Sequence, residues 1–190
     1  MTTDHSLGKG VYYDINDYPG FLRRLAVLVI DSLVLLAIGI LLWMVIATFS
    51  MANNASYDPS GIFYLVWIVA VWIYLVPLKR SQLRTIAYRL LSLKIVTTRG
   101  ERPSLFKMTF RMLMWMFGPF NLVIDLIWLG ADTEQQSLRD CYVGTYVVRN
   151  TAEPIGEGPM HLTRYNAVGF SIAYPRAGRQ QSTPQGVTRE

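Results

Sequence analysis

The chain has 190 residues, of which 52% are hydrophobic and 16% charged, with a formal net charge of +5. Soluble domains carry about 25% charged residues, and here the shortfall is concentrated in two long apolar runs. Those runs exclude a soluble globular domain as the leading reading and leave room for one membrane domain followed by a tail.

Residues 1–19 read as a cytoplasmic N-terminal segment. The first apolar run, Leu25 to Phe49, contains one ionisable group, Asp31. A membrane-centred aspartate costs roughly 2.5–3.5 kcal/mol on the insertion scale. Sixteen Leu, Ile, Val and Phe residues in the same run contribute about −5 to −9 kcal/mol at about −0.3 to −0.6 each. Insertion wins, the more so because Asp31 lies near one end. A secretory signal peptide would need a shorter run and a small-residue cleavage site. The expected helix covers about 21–49.

The second run, Gly61 to Leu78, follows the turn cluster Asp58-Pro59-Ser60-Gly61 and stops near Pro77, before Lys79-Arg80. Its length is at the short end of the spanning range. Tyr64, Trp67, Trp72 and Tyr74 are suited to the interfaces or to a facing helix. The aromatic residues of this run are expected to matter more for helix contact than Ala37, Gly39 and Ala47. Gly39 has no small partner four residues away in either direction, so a close-approach motif is absent.

Nine of the eighteen basic residues fall between Lys79 and Arg111, opposed there only by Glu101, and Ser50–Ser60 has none. The positive-inside rule places 79–111 and the N-terminus in the cytoplasm. Such a stretch attracts anionic headgroups. Nucleic acid is a poor partner for a stretch flanked by apolar spans.

Within this stretch Leu93–Thr98 is β-branched and reads as a strand, as does the 144–149 segment. Neither satisfies its backbone alone, so the two are expected to pair, on one side of the membrane. A third helical stretch is expected at about 105–130, broken at Gly118-Pro119 and carrying Asp125 near its end. It reads either as one kinked span or as a re-entrant helical hairpin, the second being what the strand pair requires. Residues 150–190, rich in Gly, Pro, Gln, Ser and Thr, read as a flexible tail with one short strand at Val168–Tyr174. The fold class is thus an all-α membrane protein with a small cytoplasmic strand pair.

Three separated features resemble the RDD family of small integral membrane proteins. They are Gly20-Phe21-Leu22-Arg23-Arg24-Leu25 followed by Ile30-Asp31; Thr85 to Val96 followed by Gly100 and Arg111; and Gln136-Ser137-Leu138-Arg139-Asp140 running into Gly144-Thr145. The resemblance covers about 20–149, and the tail has no counterpart in it. It departs at Ala87 and Ser92, where the family usually has glycine, and at Tyr88, where lysine is common. The residues that name the family map onto Arg23 or Arg24, Asp31 and Asp140.

The candidate ion, proton or structural ion-pair site is therefore Arg23, Arg24, Asp31, Arg111, Asp125 and Asp140. Asp31 needs a cationic partner inside the bundle, and Arg111, Lys107, Arg23 and Arg24 are the candidates. Asp140 is placed to cap a helix or to pair with the basic 84–94 segment. Cys141 is the only cysteine and the histidines are His5 and His161. With no phosphate loop and no triad, neither a metal, a cofactor nor an enzyme activity is expected. The resemblance implies an activity without firm assignment. Antiport has been proposed in the family, so one reading is cation/proton exchange in a homo-oligomer. There Asp31 and Asp125 would alternate between proton and cation, with Arg111 setting their affinity. The other reading is a non-transporting assembly or interaction module in the cell membrane, multi-pass in either case.

Overall fold

The computed structural model describes residues 7–53, 58–116, 136–167 and 170–178. Helix α1, Phe21–Ala52, has 32 residues, about 48 Å at 1.5 Å per residue. Helix α2, Ser60–Ile73, runs on into a π turn at Tyr74–Leu78. These two helices are long and apolar enough to cross a membrane. Their outer faces are exposed hydrocarbon: Leu36 is 58% accessible, Val45 67% and Leu65 69%. Facing water, such a surface would forfeit about 25 cal/mol for each Å² left unburied; facing lipid it loses nothing.

The helices meet through aromatic rings. Phe63 stands edge-on to Trp43 and stacks on Trp67. Gly39 is buried directly under the Trp67 ring, where an added Cβ would come within 3.0 Å of it. The expectation sets Gly39 below the aromatic residues, and the structure couples it to one of them. Glycine and ring form one contact, a side chain seated on a backbone and not a crossing of two backbones.

After α2 come a short helix α3, Ile86–Leu90, strand β2, Leu93–Thr97, and helix α4, Leu105–Met116. Helix α5, Leu138–Val143, leads through Gly144 into strand β3, Thr145–Arg149. Strands β2 and β3 pair antiparallel, with Ile95 opposite Val147 and Val96 opposite Tyr146. One face of the pair presents Leu93, Ile95 and Val147 to Val27, Val76, Tyr88 and Met108 from the helices. The other presents Val96, Tyr146 and Val148 to Val11, Tyr13 and Tyr18. Burial on both faces explains the run of β-branched residues without polar alternation.

The all-α expectation holds for the apolar part of the chain only. Strand β1, Lys9–Tyr12, joins β4, Gly156–Ala167, and β5, Phe170–Ala177, in a second antiparallel sheet of order β1-β4-β5. Where a flexible tail with one short strand was expected, two strands fold back onto the N-terminal segment. The later part of the third helical stretch, with Gly118-Pro119 and Asp125, lies outside the described residues.

Candidate functional site

Asp140 is the most completely enclosed charge in the described structure, with no accessible surface. Ser137 and Asp140 form a reciprocal capping box at the start of α5: Asp140 N–H donates to Ser137 Oγ, and Asp140 Oδ2 accepts from the Ser137 N–H and Oγ. Two arginines complete the shell. Arg24 of α1 places Nη1 2.7 Å from Oδ2, and Arg111 of α4 places Nη1 2.6 Å from Oδ1. Thr145, the first residue of β3, donates to Oδ1 and accepts from Arg111 Nη1. Burial alone would raise the Asp140 pKa, but Arg111 and Arg24 reverse that and hold it well below the usual carboxylate range. One carboxylate thus ties α1, α4, α5 and β3 together.

Asp31 forms a second cluster. It is 4% accessible, and its Oδ1 accepts from the Tyr74 hydroxyl at 2.9 Å while Oδ2 pairs with Lys79 Nζ at 2.9 Å. Lys79 Nζ also lies 4.6 Å above the Tyr88 ring, a cation–π arrangement. The π turn makes this geometry. Widening one turn to an i→i+5 pattern brings Tyr74 and Lys79, five residues apart, onto the same side of the helix. Pro77 sits inside that turn, and its missing N–H and ring disfavour a regular α-turn there.

The expected partners of Asp31 are corrected accordingly. Arg24 and Arg111 serve Asp140; Arg23 is exposed; Lys107 makes no ion pair among the described residues. The basic 84–94 segment does not pair with Asp140 either. Of the candidate residues, the structure brings Arg24, Arg111 and Asp140 into one cluster and Asp31 into another. Lys79 and Tyr74 were missed as ligands of Asp31.

Between the clusters lies a cavity of about 120 Å³, the liquid volume of about four waters. Arg24, Lys79, Arg111 and Arg139 line it, with Asp31 as the only carboxylate among its described lining residues. Arg24 Nη2 is buried there without a hydrogen-bond partner among the described residues. The described residues contain no group of three or more His, Cys, Asp or Glu placed to hold a metal ion.

The arginine on α1, the aspartate inside its apolar run and the aspartate before β3 are the features the sequence resemblance turned on. The RDD family model matches residues 18–144, which spans all three. The chain belongs to the RDD family. No curated protein and no solved structure gives a significant match. Among the RDD naming residues, the structure selects Arg24 over Arg23 as the one bound to Asp140.

Proposed function

We propose that this RDD protein is a non-transporting membrane module in which the two carboxylates fasten the membrane helices to a folded unit on one face of the bilayer. The observation that carries this reading is how the charges at the central cavity are engaged: Asp31, the one carboxylate among its described lining residues, already holds Lys79, and Arg24 and Arg111 hold Asp140. An exchanger needs a carboxylate free to trade its proton for a cation, in a cavity that admits one. Here Asp31 binds an entering cation only by releasing Lys79. The exchange reading retains one supporting feature, the position of Asp31 on the cavity wall.

In this reading α1 and α2 cross the cell membrane as a hairpin. A span of about 20 residues counted back from Ala52 leaves Asp31 at the edge of the hydrocarbon, where Lys79 reaches it from the end of α2. The basic segment and both sheets then lie in the cytoplasm. Helix α4 lies along the inner surface, with Phe106 and Phe110 exposed for contact with lipid.

The variant Asp31→Asn separates the two readings. A module loses stability, about 2 kcal/mol for a charged hydrogen bond and an ion pair at a partly wet site, and sealed vesicles carrying either form pass cations no faster than empty ones. A stable variant that abolishes a measurable flux of the parent would overturn the proposal.

A further inference from the structure

Beyond the end of α2 lies a second, larger concavity of about 440 Å³. Five cations line it: Lys79 and Arg80 at the helix end, Arg84 from the following loop, Lys94 from β2, and Arg102. No Asp or Glu is among its lining residues. Among the described residues, only Lys79 of these five has a carboxylate partner, Asp31. Arg84 and Lys94 donate to neutral carbonyls, those of Leu93 and Ala152, so their charges stay uncompensated. Arg80 Nε is buried without a hydrogen-bond partner among the described residues.

The backbone reinforces the point. Arg84 has φ of +55°, a left-handed conformation that is strained for a residue with a Cβ. It persists because Ser81 Oγ accepts from both the Leu83 and Arg84 N–H groups. Strain of this kind concentrates where a side chain must be aimed.

We propose that this groove binds a phosphate group. Converging guanidinium and ammonium groups without a competing carboxylate are the donors a phosphate dianion or diester requires. The groove opens directly after the last apolar turn of α2, at the depth of lipid headgroups, which makes an anionic phospholipid the ready source of that phosphate. The inference deepens the module reading by naming its partner, and rests on that reading only for the groove's place at the bilayer surface.

The test uses the full chain in neutral detergent, titrated calorimetrically with inorganic phosphate and, separately, with short-chain phosphatidic acid, with short-chain phosphatidylcholine as reference. The double variant Arg80→Gln/Arg102→Gln removes two lining cations, and binding should weaken roughly 30-fold at the usual contribution of a basic residue near a headgroup. Arg89→Gln/Arg164→Gln makes the same change in net charge at exposed positions off the groove and should stay within twofold of the parent. Thermal melts without ligand verify folding; if the groove double variant melts early, Arg102→Gln alone should still weaken binding about fivefold. Phosphatidic acid binding tenfold tighter than phosphate assigns the groove to headgroups, and equal binding assigns it to soluble phosphate; both uphold the site. No binding of either probe, or equal loss in both double variants, overturns it. Cation flux by the parent would sink the module reading and leave this groove standing.

Discussion

Replacing Asp140 by asparagine removes the one negative charge between two guanidinium groups and leaves both buried without compensation. Breaking a buried pair in this way costs about 3–5 kcal/mol, and a thermal melt in detergent should register it as one of the most damaging single substitutions in the chain. The pH dependence has a definite sign. Asp140 is depressed in the folded state, so its contribution is complete above the unfolded value of about 3.9 and is lost as pH falls toward the folded one. Stability attributable to Asp140 should be flat from pH 7 down to about 4 and fall only below that; a decline centred near pH 6 would contradict the assignment. Ser92 offers the opposite test. It has φ of +52°, which accounts for glycine being usual there in the family. Ser92→Gly should raise stability by about 1 kcal/mol, relief of left-handed strain less the added freedom of the unfolded chain; an unchanged or lower melting temperature would show that the serine side chain compensates.

The hairpin of α1 and α2 rests on a ring seated against a glycine, and that contact can be measured as a coupling. Gly39→Leu should destabilise by about 1–3 kcal/mol through overpacking, and in a Trp67→Ala background the same substitution should be nearly neutral. Equal costs in both backgrounds would place the contact elsewhere. The Lys79 partner of Asp31 was legible at this scale and was not read. Asp31 lies 21 residues before the end of α1 at Ala52, and Lys79 lies 19 residues after the start of α2 at Ser60. In an antiparallel pair joined by a short loop, those positions face each other. Arg111, at the entry of the third helical stretch, has no such register with Asp31. The π turn had a signal too, in Pro77, which reads equally well as a helix stop. The Arg24 partner of Asp140 was out of reach, because it joins residues 116 positions apart through elements whose docking no local pattern encodes.

At the scale of the whole molecule, the strand pair was readable because its two members share composition and each lacks any other partner. The sheet of β1, β4 and β5 was not. Its glycines look like those of a flexible tail, yet Gly158 stands where the Gly178 carbonyl leaves no room for a Cβ, and Gly156 where the Tyr12 ring does. In strands, glycine often marks such close approaches, but the partner of β4 lies at the far end of the chain, Lys9 opposite Pro159. On the proposed hairpin topology, both sheets and both ion-pair clusters call for one placement: the described residues outside α1 and α2 lie on one side of the membrane. Single cysteines at Asn53 and at Glu153, each in a Cys141→Ser background, probed on intact cells with a membrane-impermeant thiol reagent, test it most directly. Asn53→Cys should label from outside and Glu153→Cys only after lysis; labelling of Glu153→Cys on intact cells would rule this topology out.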